Sequence, residues 1–344
     1  MTKENSQISN LDQIQGSQSL VKRHPLLTFF TLTFLISWVT WLLAPTISDG
    51  DVSLQALLDL MGAFGPALSA ILISSILGSE PTGSSGRRRV ITFSAVFAAT
   101  LIMQLYAYIF LVGVNDYSLV LVSFINSVIA SYVVSSVYHP RIGVVKLMAG
   151  LKPVAGKSAW ILVGLVLPFA FHLVSGAVWW ALGSKDIFNF TSATLAIVLI
   201  NYPFTMLFGG PLNEEPGWRG FAVPKMEIKH SALITGLAIG TIWSVWHFPL
   251  HITGFYGGGV YGFLARLTWN IPLGVLMTWL YNRSGGSILT CVLMHTGFND
   301  STQLFTSSVI QQTAILVMIA FTALVIFYDK MYRRPFEFVA DQKP

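Results

Sequence analysis

A short polar segment, residues 213–220 with the sequence Asn-Glu-Glu-Pro-Gly-Trp-Arg-Gly, directly follows a long, mostly apolar run. A charged side chain at bilayer depth costs at least a few kcal/mol, so ionisable groups there are functional-site candidates. Glu215 and Arg219 are four residues apart, so on a helix they share a face and can pair. Glu214 would point about 100° away from Glu215 and be free for acid–base chemistry. The alternative is a loop in which these charges are solvated.

A second motif, Trp-Ser-Val-Trp-His-Phe-Pro-Leu-His from Trp243 to His251, places two histidines in an apolar stretch. A single histidine among aromatic residues is more often a packing residue than a ligand. His247 and His251 are four residues apart, which is a metal-ligand spacing on a helix, but Pro249 between them disturbs that geometry. His251 also lies near the end of its apolar segment and could be an interfacial residue.

A third motif pairs His295 with Asn299, four residues later. On a helix this spacing puts an imidazole and a carboxamide on one face. Both groups can donate a hydrogen bond to the same point, which suits an oxyanion hole, and the pair also suits metal ligation. A purely structural role is the alternative. Cys291 precedes His295 by one turn, so a Cys–His nucleophile pair is a further alternative.

These polar residues lie on different apolar segments, and buried polar groups without partners are costly in lipid. A single site that contains Glu214, His247, His295 and Asn299 would give each of these polar groups a partner and so offset the cost of burying it. One difficulty remains, because Glu214 follows its apolar segment whereas His247 lies deep within another. The two can meet only if the helix before Glu214 continues past it, or if the segment with His247 starts later than its apolar pattern indicates.

The elements that must position these residues are membrane helices. The chain has 344 residues, of which 53% are hydrophobic and 10% charged, with a mean hydropathy of +0.66, whereas soluble domains carry about 25% charged residues. A single cysteine, Cys291, rules out an internal disulfide framework and a four-cysteine metal site. Two more polar residues lie inside apolar segments: Asp59 is assigned no role, and His172 is interpreted as a packing residue.

Apolar segments long enough to cross a bilayer, about 17 to 25 residues, recur along the chain and predict an all-α transmembrane bundle. We expect about ten spans, around a core of eight. Their approximate ranges are 26–45, 54–78, 90–113, 118–138, 158–183, 192–212, 231–250, 263–282, 286–304 and 309–328. The polar residues 1–21 are predicted to be disordered, and residues 139–157 to form a short amphipathic helix along the cytoplasmic interface.

The distribution of basic residues predicts the orientation of this bundle. With ten spans, 18 of the 20 Lys and Arg residues fall on one side and two, Lys185 and Arg266, on the other. Basic residues accumulate in cytoplasmic loops, so both termini are predicted to be cytoplasmic and the protein to be a multi-pass protein of the cell membrane. The net charge of +5 and pI of 9.3 are then explained by anionic lipid headgroups rather than nucleic acid.

The three motifs occur in order as Glu214-Glu215-x-x-x-Arg219, Trp243-x-x-x-His247 and His295-x-x-x-Asn299. This pattern resembles the type II CAAX prenyl endopeptidases, also called the CAAX protease and bacteriocin-processing family of intramembrane metalloproteases. The resemblance covers roughly residues 190–305. That family usually has Phe where this chain has Trp243, a change expected to alter packing volume more than chemistry.

The resemblance implies a division of the chain and a role for each motif. Residues 190–305 would be the catalytic core, preceded by the tail 1–21 and the helices of 22–189, and followed by the last helix and tail in 306–344. Glu214 and His247 would activate a water molecule, and His295 and Asn299 would stabilise the tetrahedral oxyanion. Glu215, Arg219 and Trp243 would support the site.

The resemblance leaves the metal open, since both a metalloprotease and a metal-free glutamate mechanism fit it. Glu214, His247 and His295 could bind Zn²⁺ and leave one position for water. The expected reaction is hydrolysis of a peptide bond near the cytoplasmic leaflet, in a peptide or lipidated protein embedded in or bound to the bilayer. The alternative is a non-catalytic membrane protein, such as a bacteriocin-immunity factor, a scaffold or a transporter. A transporter would be expected to show internal repeats, and none is evident.

Overall fold

The described part of the chain is helical throughout. The computed structural model describes residues 20–83, 86–112, 117–184, 192–304 and 307–333. Within these ranges no β-strand is formed, and the only sheet-like pairing is an isolated bridge between Pro81 and Arg141. The all-α prediction is confirmed, as expected for an apolar chain whose helices satisfy their own backbone groups. Most of the predicted tail 1–21 and the C-terminal tail from 334 onward lie outside the described residues.

Seven helices make up the first half of the described chain. They are α1 Pro25–Ser48, α2 Val52–Gly62, α3 Gly65–Leu77, α4 Gly86–Tyr106, α5 Tyr117–Ser135, α6 Ile142–Met148 and α7 Ser158–Ala181. Helix α6 corresponds to the predicted amphipathic segment, with Lys146 exposed and Leu147 and Met148 buried.

Eight α-helices make up the second half, and the three motifs lie within them or in the short segments between them. They are α8 Ser192–Phe208, α9 Pro211–Glu215, α10 Val223–Glu227, α11 Ala232–Trp246, α12 Phe248–Ile252, α13 Gly259–Arg283, α14 Ile288–Leu304 and α15 Ser308–Tyr328.

Each of the ten apolar segments coincides with a helix or helix pair, but they are not equally suited to cross a membrane. Among the described residues, seven helical segments are long and apolar enough to span. The sixth, eighth and ninth predicted spans, which are α8, α13 and α14, do not reach the same length or apolar content. The number of spans and their orientation therefore stay predictions. Helices α8 and α14 are each one residue short of the 18 required, and α13 and α14 carry several of the polar side chains described below, which lowers their hydropathy.

The sixth predicted span breaks and then continues, which resolves the mismatch in depth between Glu214 and His247. Helix α8 ends before Gly209 and Gly210, and Gly210 has a positive φ of 108°. The helical run then restarts as α9, passes through a π-helical segment, Pro216–Ala222, and ends with α10 at Glu227. A Cβ atom on Gly210 would lie 2.4 Å from a carboxylate oxygen of Glu214, so both conformation and space require glycine there.

Helices α11 and α13 pack closely through glycines. A Cβ atom on Gly236 would lie 2.6 Å from the backbone of Val275, and one on Gly274 would lie 2.5 Å from the backbone of Gly240. Small residues at such crossings let two membrane helices approach until their backbones touch. This contact places the end of α11, which carries Trp243 and His247, beside α13.

Candidate active site

The structure brings the four predicted residues into one cavity. Glu214, His247, His295 and Asn299 all line a cavity of about 500 Å³, together with Trp243. The ring centroids of His247 and His295 lie 5.9 and 5.1 Å from the indole of Trp243. The predicted convergence of three separate segments on one site is therefore present, while the catalytic role of each residue stays a prediction.

Glu214 is held at the wall of this cavity by Trp243. Its side chain is buried, with 3% of the residue exposed. The indole Nε1–H of Trp243 donates a hydrogen bond to Oε2 of Glu214. A phenylalanine at position 243 has no such donor. The expectation that tryptophan changes packing volume more than chemistry is therefore wrong, because the indole supplies a polar partner for the central carboxylate.

Glu215 pairs with Arg219, as the four-residue spacing predicts, and also holds His295. The Arg219 Nη1 lies 3.1 Å from Glu215, and both side chains are fully buried. Oε1 of Glu215 lies 2.8 Å from Nδ1 of His295. The guanidinium also packs over Trp243, 4.7 Å from the ring centroid. A carboxylate on one imidazole nitrogen fixes the ring orientation and directs the other nitrogen elsewhere, so Glu215 presents His295 Nε2 to the cavity.

His247 ends α11 and lies in an aromatic environment. Its Nδ1 is 2.7 Å from the carbonyl oxygen of Trp243, one turn earlier, which leaves Nε2 for other contacts. His251, four residues on, is not among the residues that line the cavity. Instead, the Nε–H of Arg266 donates to His251 Nε2 at 3.2 Å. The metal-ligand spacing of the two histidines therefore does not produce a shared ligand pair.

Asn299 lies on the same face of α14 as His295, one turn further on. Its Nδ2 donates to the carbonyl oxygen of Gly209 at 3.1 Å, which ties α14 to the break before α9. One of the two amide hydrogens is used in this way, and the second remains available to the cavity. The next residue, Asp300, accepts a hydrogen bond from Thr205 at 2.7 Å.

The residues present do not fit the zinc site suggested by the resemblance. Among the described residues, no three His, Cys, Asp or Glu side chains come together as they would to hold a metal ion. Glu214, His247 and His295 line one cavity but do not form such a group. No reaction step is therefore derived through a metal.

Cys291 does not line the cavity, whereas His172 does. The thiol of Cys291 is buried and faces the carbonyl oxygen of Met277 on α13 at 3.8 Å, and it is not a lining residue. The alternative of a Cys–His nucleophile pair is therefore not supported. His172, interpreted as a packing residue, does line the cavity, with Nδ1 3.1 Å from the carbonyl oxygen of Pro168.

The cavity also contains residues that the sequence does not predict, and three of them form one group, a charged side chain with two aromatic rings against it. Tyr256, Arg266 and Trp269 line the same cavity, and Asp59, which was assigned no role, lines a smaller adjoining cavity of about 90 Å³ with Glu214. The sequence does distinguish Arg266 from other basic residues, because it is one of only two that are predicted on the non-cytoplasmic side. The others give no such signal, since single aromatic residues in apolar segments usually serve packing.

The extent of the cavity bears on the prediction that the site faces the cytoplasm. Besides the catalytic candidates, it is lined by Arg266, Thr302 and Gln311. These residues lie at the ends of α13, α14 and α15 that the charge distribution assigns to the non-cytoplasmic side. With the predicted orientation, this part of the cavity lies toward the non-cytoplasmic side, so orientation and cytoplasmic access both stay predictions that one labelling experiment tests together.

Comparison with known proteins agrees with the motifs. Residues 196–300 match the family model described as "Type II CAAX prenyl endopeptidase Rce1-like". The CAAX prenyl protease 2 of Methanococcus maripaludis is 28% identical over 126 residues, which cover 34% of this chain and 46% of that protein. The chain thus spans about half the length of this relative. Both matches are to peptidases, and they confirm that residues 196–300, which carry the three motifs, are similar to the type II CAAX prenyl endopeptidases.

Proposed function

We propose that this protein is an intramembrane endopeptidase that hydrolyses a peptide bond with a water molecule activated by Glu214 and His247. The observation that carries the proposal is the buried Glu214 carboxylate, held by Trp243 in one cavity with His247, His295 and Asn299. This arrangement lies within the segment that is similar to the type II CAAX prenyl endopeptidases.

In this mechanism Glu214 is the general base. Its carboxylate takes a proton from water while the water oxygen bonds to the scissile carbonyl carbon, and His247 orients that water through Nε2. The carbonyl oxygen becomes an oxyanion that accepts hydrogen bonds from His295 Nε2–H and the Asn299 amide. When the C–N bond breaks, Glu214 returns its proton to the leaving amine. General base catalysis contributes about 10² to 10⁴ in rate, and each oxyanion donor about 10² to 10³.

Glu215 and Arg219 act through His295. The Glu215 carboxylate accepts a hydrogen bond from His295 Nδ1, whether the imidazole is neutral or protonated. Only the protonated imidazolium also carries a proton on Nε2. The proposed donation from Nε2 to the oxyanion therefore requires the imidazolium. Arg219 neutralises the buried Glu215 charge, so that Glu215 remains an anion beside the ring. The pair therefore serves to orient His295 rather than to react.

The substrate we propose is a peptide or lipidated protein that enters the cavity from the bilayer. Aromatic and aliphatic side chains from four helices line the cavity beyond the catalytic candidates: Phe171, Trp269, Leu273, Phe298 and Ile315. Such a lining suits an apolar chain or apolar residues next to the scissile bond. We place the reaction inside the membrane layer and leave the side of access to the orientation experiment described in the Discussion.

The proposal is tested with the purified protein in lipid vesicles. Termini that differ between the membrane proteomes of deletion and wild-type cells supply the substrate peptides. Glu214→Gln and His295→Ala are expected to lower kcat at least 10²-fold while the protein stays folded, as an unfolding measurement on the same preparations checks. Glu227→Gln is the matched control, because Glu227 is also buried but pairs with Asn282 outside the cavity.

Two results would contradict this assignment. Full activity in both Glu214→Gln and His295→Ala would show that the site lies elsewhere. A wild-type protein that cleaves none of the candidate substrates would favour a non-catalytic scaffold, transporter or immunity factor. Because Glu214, His247 and His295 do not come together as a metal-binding group, the proposed mechanism uses no metal; about one zinc per chain in the purified protein, lost in Glu214→Gln, would contradict this part of the proposal.

A further inference from the structure

One arginine in the candidate catalytic cavity has no carboxylate partner. Arg266 lies in the second turn of α13, is half-buried and lines the cavity with Tyr256 and Trp269. Among the described residues, no carboxylate lies within ion-pair distance of its guanidinium. A charged side chain inside an apolar helix bundle is costly and marks a functional-site candidate, so the missing counter-ion is the feature to explain.

The guanidinium of Arg266 is held in a fixed orientation. Its Nε–H donates to His251 Nε2 at 3.2 Å. Its central carbon lies 4.2 Å from the ring centroid of Tyr256 and 5.1 Å from that of Trp269. One edge of the fork is thus occupied by His251 and its plane is set by two aromatic rings. The Tyr256 side chain also forms a hydrogen bond with Arg266, and a guanidinium has five N–H donors, so donors remain that can bind a planar anion.

The acidic residues that share the cavity with Arg266 already have other partners. Glu214 accepts a hydrogen bond from Trp243, and Asp300 accepts one from Thr205. The cavity therefore has the candidate general base at one position and a positive charge without an anionic partner at another. Its volume of about 500 Å³ lies in the range of cavities that bind small ligands, so a bound peptide segment can contact both groups.

We propose that Arg266 binds a carboxylate of the peptide substrate and thereby selects which peptides are cleaved. The inference rests on the proposed peptidase activity. A carboxylate matches the planar fork of the guanidinium better than a neutral amide, and a peptide supplies one either at its C-terminus or on an acidic side chain. Arg266 is then a specificity residue, and it lies outside the three motifs that carry the family resemblance.

The test compares three peptides that share one cleavage sequence. The first has a free C-terminus, the second is amidated, and the third is amidated but carries a glutamate near its end. The wild-type protein is expected to cleave at least one carboxylate peptide with a kcat/KM about 10- to 100-fold above that of the neutral amide, mainly through KM. Whether the first or the third peptide is preferred identifies the source of the carboxylate.

Variants of Arg266 separate this role from folding. Arg266→Gln is expected to remove the discrimination, so that the ratio of kcat/KM between the carboxylate peptide and the neutral amide falls to about one. Arg266→Lys keeps the charge without the fork and should retain part of the preference. Lys146→Gln, which removes an exposed positive charge outside this cavity, should leave the preference unchanged. The unfolding temperature of Arg266→Gln in vesicles, compared with that of the wild-type protein, shows whether the variant is folded.

The inference can fail in three distinguishable ways. It is overturned if the wild-type protein does not discriminate between the peptides, or if Arg266→Gln discriminates equally well. It is also overturned if the effect of Arg266→Gln follows the phosphatidylglycerol content of the vesicles instead of the peptide, since the anion is then a lipid headgroup. If no peptide is cleaved, the proposed function fails, and equilibrium binding of the same peptides to Glu214→Ala still decides on Arg266.

Discussion

Variants of the buried Glu215–Arg219 pair can separate the effect of Glu215 on stability from its effect on catalysis. Glu215→Gln keeps the size of the side chain but removes its charge. Arg219 is fully buried, so its guanidinium would remain as an uncompensated charge, which costs about 3–5 kcal/mol in other proteins. Arg219→Met leaves Glu215 without its guanidinium partner and should cost a similar amount. Both single variants are therefore expected to unfold far more readily than the wild-type protein.

The double variant Glu215→Gln with Arg219→Met distinguishes the two roles of Glu215. With both charges removed, most of the stability should return, because replacing a whole buried ion pair is often neutral or stabilising. The activity should not return, since His295 still lacks the anion at Nδ1, 2.8 Å away in the wild-type protein. We expect kcat to stay about 10²- to 10⁴-fold below the wild-type value.

The assays are equilibrium unfolding of the reconstituted protein and peptidase kinetics on the same preparations. The stability measurements form a double-mutant cycle, in which the pairwise coupling is expected to be large because the residues are in contact. The reasoning is refuted if each single variant loses less than about 1 kcal/mol, the range typical of exposed pairs. It is also refuted if the double variant recovers activity along with stability, since Glu215 would then act only as a partner for Arg219.

Two further predictions concern pH and orientation. Burial raises the pKa of Glu227, which lies outside the predicted spans, to about 7, although its hydrogen bond with Asn282 opposes the shift. Since the folded state then binds the proton more tightly than the unfolded state, stability should fall as pH rises from about 4.5 to 7, and unfolding of Glu227→Gln should lack this dependence. A reporter fused at Pro344 should be cytoplasmic. An impermeant thiol reagent applied to intact cells should label Thr302→Cys but not Lys146→Cys. The reverse labelling pattern would show that the orientation predicted from the charge distribution is wrong.

The sequence is sufficient to predict that Glu214, His247, His295 and Asn299 line one cavity, while their catalytic roles stay predictions. The four-residue spacing of Glu215 and Arg219 is enough to predict their ion pair. The pair forms even though a π-helical segment begins directly after Glu215. The convergence of Glu214, His247 and His295 follows from the cost of leaving each of them alone in lipid. These predictions require only the composition of short segments and the properties of the bilayer.

The contacts that the sequence does not predict depend on distances across the fold. Trp243 donates to Glu214 from a residue 29 positions away, and no local pattern distinguishes this indole from a packing residue. The sequence at Gly210 is typical of the end of a helix, yet in the structure the helical run resumes and continues to Glu227. Arg266 joins the cavity only because α13 packs against the end of α11 and against α12, which carries His251.

Two of the helices that form the site, α13 and α14, are less able to cross a membrane alone than the other long helices. Helices α8, α13 and α14 fall outside the seven segments that are long and apolar enough to span, and α13 and α14 contribute Arg266, His295 and Asn299 to the cavity. A catalytic cavity needs polar side chains, and each of them lowers the hydropathy of the helix that carries it. Such helices are stable in a bilayer only when more apolar helices cover them, as α7 and α15 cover α13 and α14 here. Weak span signals inside an otherwise apolar chain therefore indicate where its chemistry lies.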